Sequence, residues 1–460
     1  MQPTTAVKAI STAALILGLS GWLPAAEKPI LFKNGQIITV SGETIPGGDI
    51  LIQGTKIVKV GKGLPAPAGA EIIDLNGRWV MPGIIDSHSH IALEGDVNEM
   101  GDLITAEVDC QDIINPQDIN IFYALTGGVT SIHTMHGSAN PIGGKGIVLK
   151  LRWGKSAAEL VFEGAPLTSK WALGENPKQS NSMGAARARY PKTRMGVEES
   201  IRAEFEKAKD YMRLWDEYDK KVKASKESKG KIPAPVPPKI DYRLESVADI
   251  LKGKLWVRCH AYQSEEMLSI MRLCKEYNVK LVCFEHGLEG YRITNELVSY
   301  GVAISTFADS WGYKWEAYNT TPHAAALCAK RGVLVALNSD DAERMRRLFN
   351  DAAKTVRFGG LSEAEALKTL TINPAKILGT DKWVGTIDIG KDADLAVFSR
   401  HPLDPYTVCE MTLVDGKVYF DRAKYLDDMK KAEEEKKKKE AEKKKEPEKK
   451  EPEKKKGPEV

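Results

Sequence analysis

The middle of the chain alternates short apolar runs with longer amphipathic stretches, and this alternation limits the possible folds more than any other feature. The runs are VTSIHTM, GIVLKLR, LWVRCH, VKLVCFEH, GVAISTF and VLVALNSD, and helical patterns cover 264–277, 290–300 and 324–331. Repeated strand–helix units build a parallel sheet flanked by helices. A region of roughly 250 to 290 residues built from such units is typical of a TIM barrel, whose active site lies at the carboxyl ends of its strands. We therefore predict an α/β fold with a (β/α)8 barrel at residues 82–375.

Both ends of the chain have a different, β-rich pattern. Apolar runs and tight turns fill residues 27–81, and the pattern returns at 376–422 in VGTIDIGKDADLAVF and VCEMTLVDGKVYF. Such segments form short strands joined by turns. We expect the two ends to pair into one small β-sandwich. Residues 197–252 combine a charged helix with a loop rich in Pro, Lys and Ser, which indicates an insertion within one βα unit of the barrel.

The two terminal segments differ in composition from the rest of the chain, and the first suggests export. Lys8, an apolar stretch and small residues before Glu27 indicate a signal peptide at 1–26, and the stretch is too short for a stable membrane span. A secreted or periplasmic location follows. Residues 429–460 are rich in Lys and Glu with Pro, so we expect a tail that is disordered or transiently helical.

Net charge and cysteine spacing exclude two other classes of protein. The net charge is +3, but residues 430–460 hold 14 Lys and 10 Glu, so the body of the chain has no excess of positive charge that would suggest a nucleic-acid partner. The six cysteines lack the spacing of a thiolate zinc cluster. We expect Cys259 and Cys283 to be small apolar residues beneath helices and not to form a disulfide bridge.

Polar side chains with metal-binding chemistry end several of the predicted strands. PGIIDSHSH places His88 and His90 two residues apart, on one face of a strand. Such a pair alone is equally compatible with two hydrogen-bonded histidines. However, LWVRCH ends in His260, VKLVCFEH in His286 and VLVALNSD in Asp340. Four imidazoles and a carboxylate at one barrel mouth suit zinc or a similar divalent ion.

These motifs resemble the amidohydrolase superfamily, particularly its imidazolonepropionase-like and prolidase-like branch. The resemblance runs from about Ile30 to Phe420 and is carried by PGIIDSHSH, GGVTSIHTMHGSANPIGG, ALGENPK, VRCHAY, FEHG, NSDD and TINPAKILG. It implies that the metal-site residues are His88, His90, His260, His286 and Asp340, the same five that the strand ends indicate.

The resemblance also implies a carbamylated lysine that bridges two metals in many members. Lys170, in PLTSKWALGEN, is the candidate. Lys150 and Lys155 are competitors, and Glu163 or Glu175 is an alternative source of a carboxylate. The number of ions is therefore left at one or two.

Three further positions bear on the substrate. GSANPIGGKG at 137–146 is expected to be a Gly-rich loop that either presents backbone N–H groups to a substrate carboxylate or is a structural βα loop, with His136 beside it as a candidate substrate contact. Gln263 stands where the superfamily's metal-dependent deaminases have a Glu, which weakens a deaminase reading. Asp341 stands where a His often follows the metal-site Asp, so its contacts are left open.

The predicted activity is hydrolysis of an amide C–N bond in a dipeptide or N-acyl amino acid. A divalent ion lowers the pKa of its bound water from 15.7 to about 7. Asp340 would transfer the proton, and His286 would bind a second ion or donate to the oxyanion. The alternatives are a lactam-ring hydrolase of imidazolonepropionase type and a non-catalytic metal- or ligand-binding surface protein. The expected partner is a small amide or peptide, and self-association is left open.

Overall fold

The computed structural model describes residues 28–178 and 190–445, with side chains described as far as 440. The predicted signal peptide at 1–26 and residues 446–460 lie outside these ranges. The strands are β1 (Ile30–Ile37), β2 (Ile45–Gln53), β3 (Lys56–Gly61), β4 (Glu71–Asp74), β5 (Trp79–Pro82), β6 (Ile84–Ser89), β7 (Val129–Thr134), β8 (Ile142–Lys150), β9 (Thr168–Ala172), β10 (Trp256–Ala261), β11 (Leu281–His286), β12 (Ala303–Thr306), β13 (Val335–Leu337), β14 (Leu395–Phe398), β15 (Cys409–Val414) and β16 (Lys417–Asp421).

Twelve α-helices connect or follow these strands within the described residues. They are α1 (Ile119–Leu125), α2 (Ala157–Leu160), α3 (Arg194–Glu227), α4 (Tyr242–Leu251), α5 (Ser264–Glu276), α6 (Thr294–Tyr300), α7 (Ala324–Lys330), α8 (Ala342–Met345), α9 (Leu348–Gly359), α10 (Glu363–Lys368), α11 (Ile372–Ile377) and α12 (Arg422–Lys445). Among these helices, none is both long and apolar enough to cross a bilayer.

The strands from the two chain ends pair with each other, as predicted, and form one sheet. Its order is β16-β15-β14-β5-β1-β2-β3, with β4 paired to β1. The junction between the two ends is the antiparallel pairing of β14 with β5, in which Val397 lies opposite Val80. Both of these valines belong to an apolar core that also contains Phe32, Ile50 and Leu413 and is separate from the core of the barrel.

The central strands form a nearly closed barrel in the order β6 to β13, which confirms the predicted fold class. One strand departs from the expected all-parallel pattern, because β8 runs antiparallel to both β7 and β9. Only residues 135–141 connect β7 to β8. Since a parallel crossover needs a dozen or more residues, this connection is too short for one.

The segment predicted as an insertion lies between β9 and β10, which pair directly with each other. Its long helix, α3, is buried over its first half, where Phe205 packs against Trp171 with ring centroids 5.6 Å apart. The second half is largely exposed and leads into the Pro-rich loop. The first half of α3 therefore covers the barrel with one face.

For residues 429–445, which we expected to be disordered or transiently helical, helix α12 continues to Lys445. Ala, Glu and Lys all favour helix. Ion pairs one turn apart add to this tendency, with 2.6 Å between Lys431 Nζ and Asp427 Oδ2 and 2.7 Å between Lys437 Nζ and Glu433 Oε1. The side chains from 430 to 440 are exposed, so this part of the helix has no packing partner among the described residues.

Candidate metal centre

Three predicted ligands converge at the seam where the first and last barrel strands meet. His88 lies in β6, His90 follows it, and Asp340 follows β13. Asp340 Oδ1 lies 3.3 Å from His88 Nε2 and 3.2 Å from His90 Nε2. Potential ligand atoms of all three residues lie within 4.8 Å of one another. Although burial would raise the pKa of Asp340, the nearby His88 and His90 hold it well below the usual range, so Asp340 is a carboxylate.

The hydrogen bonds of the two histidines show that this space suits a cation. His88 Nδ1 lies 2.8 Å from a Glu285 carboxylate oxygen, and His90 Nδ1 lies 2.8 Å from the Met135 carbonyl oxygen. Because both partners can only accept, each Nδ1 must carry a proton, and in the neutral ring that metal binding requires each Nε2 presents a lone pair. The two Nε2 atoms face each other at 3.3 Å, where two acceptors repel. A divalent ion between them and Asp340 would satisfy all three.

His260 and His286 lie beside this group, at the ends of β10 and β11. Their ring centroids are 4.7 Å apart, and His286 Nε2 lies 4.0 Å from Asp340 Oδ2. His260 Nδ1 pairs with the Ser138 hydroxyl at 3.0 Å. His260 Nε2 and His286 Nδ1 are buried and have no hydrogen-bond partner among the described residues. Buried orphan nitrogens are costly, and a nearby ligand or ion would remove this cost.

Lys170 is fully buried in β9 and belongs to the same mouth. Its ammonium nitrogen donates to the His136 carbonyl oxygen at 3.3 Å. Burial lowers the pKa of Lys170, which favours the neutral amine. The competing Lys150 instead forms ion pairs near the sheet of the chain ends. Its Nζ lies 2.7 Å from Asp392 Oδ2 and 2.5 Å from Asp415 Oδ1.

The other candidates for a bridging group are also engaged elsewhere or exposed. Lys155 is half-exposed and pairs with Glu159 on the surface at 3.4 Å. Glu163 is exposed, and Glu175 is only half-buried. Among the candidates named from the sequence, Lys170 alone is buried at the barrel mouth.

Glu285 and Arg258 support the site but were missed in the sequence. Glu285 accepts from His88 Nδ1 with one oxygen and from Arg258 Nε, at 2.5 Å, with the other. Arg258 also donates to the Ser87 carbonyl oxygen at 2.9 Å. Carboxylates that orient metal-binding histidines in this way strengthen metal binding. The available signal was two charged residues within the apolar runs LWVRCH and VKLVCFEH.

The alternation of side chains along a strand explains why the role of Glu285 was not predicted. Adjacent residues of a strand point to opposite faces, so Glu285 and His286 would not be expected to share the barrel interior. The backbone of His286 is left-handed, with φ 72°, which turns its side chain back toward the mouth. Asp340 has φ 48° and turns in the same way after β13. Such backbone strain outside glycine is often found at functional sites.

Asp86 links the first and last strands beneath the ligands. Its carboxylate accepts from the backbone N–H of His88 and of Ser339, both at 3.2 Å, and from the Ser339 hydroxyl. Burial raises the pKa of Asp86 to about 6 despite these hydrogen bonds. Asp340 N also donates to the His88 carbonyl oxygen at 3.2 Å. These contacts fix the position of Asp340 relative to the candidate ligand His88.

The Gly-rich segment at 137–146 does not form the open loop that we expected. Its second half belongs to β8, and in its first half Gly137 N donates to the Val97 carbonyl oxygen at 2.8 Å. Ala139 N donates to Asn98 Oδ1 at 3.1 Å. These N–H groups therefore do not face a substrate. The glycines serve close packing, because a Cβ at Gly143 would lie 2.7 Å from His136 Nδ1.

His136 and Asp341 have structural contacts as well. Both nitrogens of His136 are engaged, one with the Gly137 carbonyl oxygen at 2.9 Å and one with the Glu99 backbone N–H at 2.9 Å. Asp341 caps α8 by accepting from the backbone N–H groups of Glu343 and Arg344, at 2.8 and 2.7 Å. His136 is therefore not free to serve as the proton carrier in place of Asp340, whereas Asp341 uses only Oδ1 for the cap.

The cysteines match the sequence expectation. All six lie within the described ranges, are buried and are unpaired. Burial raises the pKa of Cys274 and of Cys110 to about 12, so both remain neutral thiols.

Comparisons with known proteins agree on the family. Amidohydrolase tasK of Hapsidospora irregularis is 29% identical over 441 residues, covering 87% of this chain and 44% of that protein. The chain therefore spans less than half the length of that relative. The crystal structure of an amidohydrolase from Thermotoga maritima MSB8 is 37% identical with a TM-score of 0.76, and the match covers 85% of this chain and all of the other.

A more distant structure supports the fold alone. A Xaa-Pro dipeptidase with bound methionine has a TM-score of 0.53 at 17% identity, covering 85% of this chain and all of the other. The sequence model of the amidohydrolase family matches residues 79–419, which include the whole barrel and every candidate ligand described above. The chain therefore belongs to the amidohydrolase family.

Proposed function

We propose that the protein is a metal-dependent hydrolase that cleaves an amide C–N bond in a dipeptide or N-acyl amino acid. The observation that carries this proposal is the pair of Nε2 lone pairs of His88 and His90, 3.3 Å apart beside the carboxylate of Asp340. This donor set suits zinc. The family membership supports hydrolysis as the reaction class. The predicted signal peptide supports a secreted or periplasmic location.

The chain offers ligands for one or two ions. His88, His90 and Asp340 would hold the first, and His260 and His286 stand ready for a second. Lys170 would bridge them as a carbamate, formed when its neutral amine attacks CO2 and loses one proton. The carbamate then offers two oxygens, whereas an ammonium offers none. The lowered pKa of Lys170 favours the amine that this step needs.

A divalent ion held by these residues would polarise the scissile carbonyl and make a water molecule more acidic. Asp340 accepts the proton of the attacking water, because its ionised carboxylate lies within the ligand group. Water oxygen adds to the carbonyl carbon, and the C–N bond breaks as Asp340 returns the proton to the leaving nitrogen. The imidazole of His286 stands beside Asp340, where it binds an ion or donates to the developing oxyanion. The products are an acid and an amine.

A substrate panel with the Asp340→Asn variant tests the proposal. Zinc-loaded protein is assayed on dipeptides, N-acyl amino acids and lactams. Asn keeps one coordinating oxygen but cannot take up the proton, so kcat should fall by about 100-fold to 10,000-fold, with metal content only partly reduced. The acidic limb of the pH profile should change as well.

Asp216→Asn, on the outer half of α3, is the matched control and should behave as wild type. No hydrolysis of any amide by the metal-loaded protein would contradict the proposal. Activity of Asp340→Asn within a few-fold of wild type, with full metal content, would remove Asp340 as the proton carrier.

A further inference from the structure

The segment between β12 and α7 is anchored against the metal centre by its inner side chains. We refer to residues 307–320 as the aromatic loop. Phe307 stacks on the ring of His286, with centroids 4.9 Å apart and an interplanar angle of 23°. Lys314 Nζ donates to Asn176 Oδ1 at 2.8 Å, and Glu316 is buried. The position of the loop is therefore fixed at the barrel mouth.

The outer side chains of the aromatic loop are large rings that face solvent. Trp311, Trp315 and Tyr318 are 61%, 80% and 57% exposed. They nevertheless contact each other, because Trp315 stacks on Tyr318 with centroids 5.6 Å apart and Trp311 Nε1 donates to the Tyr318 carbonyl oxygen at 2.9 Å. Exposed apolar patches of this kind usually mark binding surfaces.

The aromatic loop forms one wall of a cleft that contains Asp340. The cleft measures about 570 Å³, and Trp311 and Tyr313 line it together with Asp340. Arg344 also lines the cleft and contacts the aromatic loop, because its guanidinium donates to the Ser310 hydroxyl and lies 5.6 Å from the centre of the Phe307 ring. A molecule that extends outward from Asp340 through this cleft passes along the rings of the loop.

We propose that the aromatic loop binds an aromatic side chain of the substrate beside the scissile amide. The enzyme would therefore select dipeptides that carry a large aromatic residue on one side of the bond. The inference rests on the proposed amide hydrolysis for its choice of substrate. Its own basis is the continuity of the exposed rings with the cleft at Asp340. Aromatic rings prefer to stack or meet edge to face, and each removes a large apolar area from water.

The test compares hydrolysis of dialanine, alanyltryptophan and tryptophylalanine by the zinc-loaded full chain. The readout is the ratio of kcat/KM for the better tryptophan dipeptide to that for dialanine. We expect this ratio to exceed about 10 in wild type and to fall about tenfold in Trp311→Ala, from the loss of one ring contact and its buried area. Trp311→Phe keeps a ring and should retain most of the preference. The matched control is Tyr406→Ala, because Tyr406 is 79% exposed outside the loop.

A second measurement separates this inference from the proposed hydrolysis. Calorimetry follows binding of analogues in which a CH2 group replaces the scissile carbonyl, so that no hydrolysis can occur. Tighter binding of the tryptophan analogues, weakened in Trp311→Ala, supports the inference even if no amide is cleaved. Equal kcat/KM values for the three dipeptides together with equal binding of their analogues overturn it, and leave amide hydrolysis standing if dialanine is cleaved. A change in sedimentation of Trp311→Ala without a change in the ratio also overturns it, since the rings would then be an interface between copies of the chain.

Discussion

Glu285→Gln should lower both the metal affinity and the free energy of unfolding, because Glu285 contacts His88 and Arg258 at the same time. The two carboxylate oxygens accept from different donors, at 2.8 Å from His88 Nδ1 and 2.5 Å from Arg258 Nε. A glutamine keeps the shape but has only one acceptor oxygen. One donor then faces an NH2 group, and the guanidinium of Arg258, with a fully buried side chain, has lost its counter-charge.

The magnitude follows from burial. Breaking a buried ion pair by neutralising one partner costs about 3 to 5 kcal/mol in the free energy of unfolding. Loss of the hydrogen bond that orients a metal-binding histidine weakens metal affinity by about 10-fold to 100-fold. The first effect is measured by urea unfolding of the metal-free protein. The second is measured by competition with a zinc chelator of known affinity.

The double variant Glu285→Gln/Arg258→Met resolves the two effects. Met removes the stranded charge while filling similar space, so part of the lost stability should return while the metal affinity stays low. Glu289→Gln is the matched control, since Glu289 is buried on the same side of the barrel but contacts Ser264 and Asn319 instead of a histidine. Wild-type metal affinity in Glu285→Gln would refute the role assigned to Glu285.

Three further predictions concern other parts of the chain. Lys170→Ala should lower the metal content by about one equivalent, because a shared ligand is lost; unchanged metal content and activity, measured by elemental analysis and hydrolysis, would exclude a bridging role. The pKa of Glu266 is raised to about 7 by burial and by the nearby Glu316. The folded state therefore keeps a proton that the unfolded state loses above pH about 4.3. The free energy of unfolding should fall as pH rises from there to about 7, and Glu266→Gln should remove this slope while its exposed neighbour variant Glu265→Gln should not. Urea unfolding across that range decides, and an identical slope in Glu266→Gln contradicts the assignment. A chain that ends at Met429 should keep its activity and melting temperature, because residues 430–440 of α12 are exposed; a large drop in either would show that the tail docks on the body.

The predictable part of the site comes from residues at the ends of regular strands. His88 and His90 face the same way because they lie two residues apart at the end of β6, and His260 and His286 end strands that pair in parallel. The fold class followed from the same alternation of runs and helical patterns. These features depend only on the periodicity of strands and helices along the chain, so one sequence was enough to predict them.

The parts that sequence reasoning missed depend on backbone turns and strand direction. The left-handed φ of His286 brings Glu285 and His286 to the same mouth, and no residue pattern in FEHG indicates this turn. The apolar run GIVLKLR is compatible with either strand direction, so the antiparallel direction of β8 could be inferred only from its short connection to β7. The choice between disorder and helix at 429–445 was left open, because helix propensity and ion pairs need no apolar face.

The most direct test of metal-dependent hydrolysis is a titration of metal-free protein with zinc while hydrolysis of the best amide substrate is followed. We expect negligible turnover without metal and a rise in rate that ends at one or two bound equivalents per chain, as quantified by elemental analysis. Full turnover by protein that holds far less than one equivalent, or no turnover after one or two equivalents have bound, would contradict the central claim.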